Sequence, residues 1–192
     1  FMVFVTSKVF TSLQKKRISI MTLLIPIQGV IGWFMVKSGL SDNVDVSHYM
    51  LALHLTTAFL FLFILAWFYY DETHDNLVIN SKIEYLLLLR LIIVLSFIQI
   101  IYGGLVAGLN AGLIYNEFPL MGGSYFPSEI FATSQLVLDL VENPAIVQFI
   151  HRNIAFALSG LIIYLGCKFY KNFTIYIKKQ YKLVIYLLLL QM

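Results

Sequence analysis

Charge is scarce in this chain. Only 12% of its 192 residues are Asp, Glu, Lys or Arg and 60% are hydrophobic, against about 25% charged and about 45–50% apolar in soluble domains. A water-soluble globule is therefore excluded, and a mean hydropathy of +0.85 places the chain in a bilayer. Cysteine is nearly absent as well. Cys167 stands alone, so there is no intrachain disulfide, no C-x-x-C pair, and no C-x-x-C-H motif for covalent c-type haem attachment. The apolar stretch Phe1–Phe10 lacks the charged n-region and cleavage site of a signal peptide. The segment Gly108–Asn143 has no Lys or Arg at all. The formal charge of +3 does not indicate nucleic acid as a partner, because the cations cluster at the ends of apolar runs, where they set orientation.

What is abundant is long hydrophobic sequence. Runs at about 18–36, 49–70, 85–106 and 145–169 each approach the ~20 residues that a helix needs to cross the hydrocarbon, and a fifth run, Leu183–Met192, stops short of that length. The expected fold class is all-α: a polytopic transmembrane helix bundle of four complete spans plus a truncated fifth. Such an end reads as a cut within a longer membrane protein. Lys15, Lys16 and Arg17 precede the first run, and Lys168, Lys171, Lys178, Lys179 and Lys182 lie between the fourth and fifth. By the positive-inside rule these ends face the cytoplasm or matrix. Ser38–Ser47 and the long 108–143 loop then face outward, and Asp71–Ser81 faces inward despite its acidity, since carboxylates weigh little in this rule.

Two histidines stand early in otherwise apolar runs, His54 in Leu51-Ala52-Leu53-His54-Leu55 and His151 in Val147-Gln148-Phe149-Ile150-His151-Arg152. At about 1.5 Å per residue both lie roughly 8–10 Å below the outer boundary, at one depth. An imidazole in hydrocarbon is kept where it lines a cavity or binds something, and imidazole nitrogen is the common axial ligand of haem iron. A histidine hydrogen-bonded across helices accounts for the residues equally well, and both readings stand here. His48 falls nearly on the opposite helix face from His54 at about 100° per residue, and His74, in an inner loop, reads as solvated.

Gln28-x-x-x-Gly32 in the first run is matched by Gln99-x-x-x-Gly103 in the third, and similar exits follow, Met35-Val36-Lys37-Ser38-Gly39-Leu40 and Leu105-Val106-Ala107-Gly108-Leu109. The inside-to-outside helices read as variants of one unit, with Gln191 as a candidate start of a third copy. Gly104-x-x-x-Gly108 is a spacing of small residues that lets helices approach closely.

The stretch Gln28-Gly29-Val30-Ile31-Gly32-Trp33-Phe34-Met35-Val36-Lys37-Ser38-Gly39-Leu40, the segment Leu105 through Met121, and Glu142-Asn143 through Arg152 together resemble haem A synthase, in order and over nearly the whole chain. The resemblance implies an eight-helix protein of two four-helix halves, each with a haem between two histidines. It places residues 1–80 at the end of the N-terminal half and residues 81–192 at the start of the C-terminal half. His54 then corresponds to a substrate-haem ligand and His151 to a ligand of the cofactor haem b. Arg152, next to that ligand, would meet a haem propionate. The catalytic glutamate of the family falls upstream of Phe1, and the fragment alone is expected to be inactive. Asn110, Glu117, His48 and Ile150 depart from the family's usual aspartate, threonine, proline and asparagine; none of these departures removes a ligand. The 108–143 loop also lacks the redox cysteine pair of another branch, so the mitochondrial and proteobacterial branch fits better.

The activity so implied is oxidation of a ring methyl of haem O to the formyl of haem A for cytochrome oxidase assembly. The implied partners are the haem O synthase, oxidase assembly factors, membrane lipid and an unidentified electron donor, with self-association left open. The implied location is the bacterial inner membrane, with the mitochondrial inner membrane as the alternative. A di-haem b-type electron carrier and a haem-delivery factor without chemistry also use buried histidines, and a product assay separates them. A transporter has less support, because Glu84 and Arg90 lie near one end of their span and form no intramembrane relay. Cysteine scanning tests the topology: Ser124→Cys is labelled from the periplasmic or intermembrane side and Lys179→Cys from the opposite side, and opposite labelling overturns the outer placement of both histidines.

Overall fold

The computed structural model describes residues 9–39, 46–73, 83–132 and 135–190. His74 and Gln191 lie outside the described residues, as do most of Phe1–Phe10 and parts of the Ser38–Ser47 and Asp71–Ser81 loops. The described residues contain no strand. Four helices are long and apolar enough to cross a membrane: α1 (Ser12–Gly39), α2 (His48–Thr73), α3 (Ile83–Gly108) and α6 (Pro144–Phe169). Between α3 and α6 the chain forms two short helices, α4 (Glu129–Ala132) and α5 (Leu136–Glu142), and α7 (Ile175–Leu190) follows α6.

The helices begin earlier than the apolar runs because local bonds and lysine-tolerant turns extend them. Thr11 and Gln14 form a reciprocal cap, Thr11 N donating to Gln14 Oε1 at 3.0 Å and Gln14 N to Thr11 Oγ1 at 3.2 Å, which draws Lys15, Lys16 and Arg17 into α1. Helix α7 likewise takes in Lys178, Lys179 and Lys182, whose long stems keep the charge in water while the backbone stays helical. Hydropathy alone starts that helix at Leu183. Helix α6 starts sharply: Asn143 Oδ1 accepts from Ala145 N at 3.0 Å and Ile146 N at 3.3 Å, and Pro144 occupies the first turn, where its missing N–H costs nothing.

The long helices pack in chain order, α1 on α2, α2 on α3 and α3 on α6. The tightest crossing is between α2 and α3. A Cβ at Gly104 would fall 2.5 Å from Ala52 Cα, and one at Gly108 would collide with His48 Cα, so the two backbones touch over one helical turn. Ala52, Leu105 and Val147 form the buried cluster next to this crossing, which ties α2, α3 and α6 together at the end where the 108–143 loop lies. At the other, basic end, Arg17 of α1 pairs with Asp71 and Glu72 of α2 and lies over the Phe68 ring at 5.3 Å. Lys168 of α6 pairs with Glu84 of α3. The acidic residues at the end of α2 are thus partners of a cation, which accounts for carboxylates at a basic end. Leu165, Phe169 and Phe173 pack with Tyr85, Ile177 and Tyr181 to hold α7 against α3 and α6.

A side chain at the α2–α3 contact has nowhere to go. Gly104→Leu lowers the melting temperature of the detergent-solubilised protein, by the equivalent of about 1–3 kcal/mol or more, as overpacked cores do. Gly29→Ala, where a Cβ meets nothing within 4 Å, leaves melting unchanged. Thermal denaturation followed by circular dichroism makes the comparison.

Candidate functional site

The repeated Gln-x-x-x-Gly pattern builds a seat for an imidazole, once in each half of the described structure. On α1, Gln28 Nε2 lies 3.1 Å from His54 Nδ1 of α2, and the ring sits against Gly32, where an added Cβ would come within 3.1 Å of His54 Cε1. On α3, Gln99 Nε2 lies 3.2 Å from His151 Nε2 of α6, and a Cβ at Gly103 would come within 3.4 Å of His151 Cε1. Four residues is just over one turn of helix, so the amide and the bare glycine share one face and the ring packs across both. An added Cβ would press on the ring at Gly32 and would lie in ordinary contact with it at Gly103.

Depth agrees between the two seats, although Gln28 lies nearest Nδ1 of its ring and Gln99 nearest Nε2. His54 lies six residues into α2 and His151 seven into α6, about 9–10 Å from the loop end at 1.5 Å per residue. His48, by contrast, faces α3 through Gly108 and does not share a site with His54. Its Nε2 is buried with no hydrogen-bond partner among the described residues.

Beside His151 is a cavity of about 550 Å³, bounded by Ser96 and Gln99 of α3, by Ala155 and Ser159 of α6 and by Leu188 of α7. His151 Nδ1 and Gln99 Oε1 are buried there without a hydrogen-bond partner. A buried polar atom left unpaired in an apolar bundle is costly, and neutral imidazole nitrogen is a ligand for iron. The donor set and the cavity therefore fit a flat apolar group that carries a metal. No group of three or more His, Cys, Asp or Glu side chains that could hold a metal ion occurs among the described residues.

The 108–143 loop closes the loop end of this cavity, a role the sequence did not announce. Phe118 lines it, with its ring 6.0 Å from that of Phe156. Arg152, at the same wall, donates to the backbone oxygens of Leu120 (3.2 Å) and Glu117 and lies 5.9 Å from the Phe118 ring. No carboxylate among the described residues forms an ion pair with it. The guanidinium thus spends part of its hydrogen-bonding capacity on the loop while its charge stays uncompensated at the cavity mouth. Buried Gln148 makes a second tie, Nε2 donating to Tyr115 O at 3.0 Å. Tyr115 in turn donates its hydroxyl to Glu129 at 2.9 Å, which raises the phenol pKa, while Glu129's own backbone N–H, ahead of that hydroxyl, holds its carboxyl below the ordinary value. Lys37 stands apart from both seats, over the Trp33 ring at 4.8 Å, as a cation at an aromatic interface does.

The sequence pointed to both histidines and to the glutamine–glycine repeat, but not to their union. Thr57, which donates to Gln28 Oε1 at 2.8 Å, and Gln148 were missed. The available signal was a hydroxyl three residues after His54 and an amide three before His151.

A family model described as "Cytochrome oxidase assembly protein" matches residues 1–192. The chain is similar to the curated heme A synthase of Pelagibacter ubique, 43% identical over 158 residues, covering 82% of this chain and 44% of that protein. It is also similar to that of Flavobacterium johnsoniae, 40% identical over 170 residues, covering 88% of this chain and 50% of that protein. The heme A synthase of Neorickettsia sennetsu is 46% identical over 137 residues, covering 71% of this chain and 41% of that protein. The chain thus spans about half the length of the curated relatives it matches. No solved structure matches it. With residues 1–192, and so both histidines, inside the family match, the chain belongs to the cytochrome oxidase assembly protein family.

Proposed function

We propose that the two imidazole seats are the haem sites of a haem A synthase of a bacterial inner membrane, with the two halves divided near residue 80. His54 holds haem O, the substrate, and His151 with Arg152 holds haem b, the cofactor. The reaction is oxidation of a ring methyl of haem O to the formyl of haem A, and its product serves cytochrome c oxidase assembly. The observation that carries the reading is the duplication itself: one glutamine–glycine seat, one histidine and one depth, twice in a chain whose relatives are named heme A synthase.

Haem b, when bound, supplies one-electron redox chemistry that no side chain here provides. The chain's part is to bind, orient and exclude water. Gly32 and Gly103 leave room for each ring, and the glutamine amides fix its rotation. Phe118, Phe156 and Leu158 present apolar surface to the cavity beside His151, and Arg152 offers an uncompensated planar cation suited to a propionate carboxylate. The resemblance gives the family's catalytic glutamate no counterpart in this reading, so no catalytic residue is proposed. The haem O synthase and the oxidase assembly factors are the partners this reading requires, together with an electron donor.

Two substitutions separate the sites in the full-length protein. His151→Ala lowers the haem b retained on purification, whereas His54→Ala spares most of that haem and abolishes haem A formation; a reversed pattern overturns the assignment. Haem bound without any haem A produced by the unaltered protein indicates a carrier or delivery factor instead. Arg152→Leu weakens haem retention and shifts the reduction potential, and Arg152→Lys preserves more of the potential than of the binding because the planar fork is lost. If both variants keep native haem content and potential, Arg152 serves only to hold the loop.

A further inference from the structure

The helix faces that carry each seat continue toward the basic end, and there the two halves differ. Ile25, Met21 and Ile18 recede from Gln28 along one stripe of α1, and Leu65 and Phe68 follow His54 along one stripe of α2, at about 100° per residue. Between them runs an open groove of about 480 Å³. Its walls are mostly apolar, and Arg17 and Glu72, paired at 2.9 Å, close it at the basic end. From Gln28 to Arg17 is about 16 Å at 1.5 Å per residue, enough for an extended chain of a few isoprene units.

The corresponding place in the other half is filled. Counting back from each glutamine, Ile18 and Met21 match Leu89 and Ile92; counting on from each histidine, Phe68 and Glu72 match Leu165 and Phe169. Leu165 and Phe169 are buried, with Leu89, Ile92 and Tyr85 packed against them. Tyr85, which stands where α1 has Gln14, meets the Phe169 ring edge to face at 5.2 Å. The cavity beside His151 reaches Ser96 and Ile162, and this cluster begins about one turn further in. The second half thus has a chamber without an extension.

That difference matches the two haems of the reading above. Haem b has a short vinyl group where haem O has a hydroxyethylfarnesyl chain, on the edge of the macrocycle opposite the propionates. With the propionates toward the loop end, that edge faces the groove. We propose that the α1–α2 groove is the subsite for the farnesyl chain of haem O, so that the His54 seat takes the tailed haem and the packed α3–α6 interface takes haem b. Lipid tails are as apolar as the groove, so burial from water contributes little and the groove selects by shape. The proposal rests on the haem-site reading and deepens it, by locating what tells substrate from cofactor.

The test is binding at the second site. Full-length protein that retains haem b at His151 is titrated with haem O and, separately, with haem b, and occupancy of the other seat is read as the absorbance change that His54→Ala lacks. Ile25→Trp and Leu65→Trp each fill the groove from an exposed position, and the haem b retained at His151 reports that the variant is folded. Each weakens haem O about tenfold, as one overpacked contact does, and leaves haem b binding unchanged. Val30→Trp, exposed and nearly opposite Gln28 on α1, changes neither. Haem O affinity unchanged in both groove variants, as expected if a lipid acyl chain occupies the groove, overturns the proposal alone. Parallel loss of haem O and haem b also overturns it, because the groove then supports the seat and reads no tail. Haem O binding that survives in His54→Ala overturns the haem-site reading and this inference with it.

Discussion

The contact between the backbones of α2 and α3 is the constraint on which the rest of the arrangement depends. Gly104 and Gly108 carry no side chain, and the α3 surface they leave bare is filled by the main chain of Ala52 and His48. In a bilayer there is no hydrophobic effect to drive helices together, so close packing and a few polar bonds carry the association. Once α2 is seated there, its next turn places His54 on the side facing α1, and α3 is left to present Gln99 and Gly103 to α6. One steric requirement sets the rotation of two helices, and rotation sets which way each imidazole points.

Around that contact, polar interactions between the long helices gather at fixed levels. Ion pairs clamp α1 to α2 and α3 to α6 at the basic end, where water screens them and each is worth about 0–1 kcal/mol. The amide–imidazole bonds lie deeper, where an unpaired polar atom is costly, although measured interhelical hydrogen bonds in membranes average only about 0.6 kcal/mol. The gain in net stability is thus small. Their larger effect is on geometry, because a ring held by an amide on one side and a bare glycine on the other has few alternative rotations.

The spans were legible because burial in lipid demands long apolar runs, and no other pressure yields four of them at this length. The histidines were legible because imidazole is out of place in such runs. The glutamine–glycine repeat was visible as a pattern, yet its meaning required knowing that α1 packs on α2 and α3 on α6, which periodicity does not reveal. Thr57 escaped notice for a local reason: a threonine in a transmembrane helix commonly bonds its own preceding turn, and Thr57 does lie within reach of Leu53 O at 2.9 Å. The folded loop over the cavity was not foreseen either. Its helices are of four and seven residues, too short for a periodic signature, and its ties to α6 join residues more than thirty positions apart. Arg152 was expected at a propionate; it also grips the loop, a second duty that no local pattern encodes.

Each seat belongs to a single helical hairpin. The ascending helix supplies the amide and the glycine, and the next long helix supplies the ring, so the groups against the imidazole are contributed by two long helices adjacent in chain order. In α1 and α2 those helices are joined by a short connection, and in α3 and α6 by a long folded one, yet the glutamine, glycine and histidine recur in the same order. Such a hairpin is a portable module: copying it copies a preoriented ligand, and the connecting segment is left free to diverge into a cover for whatever the ligand holds.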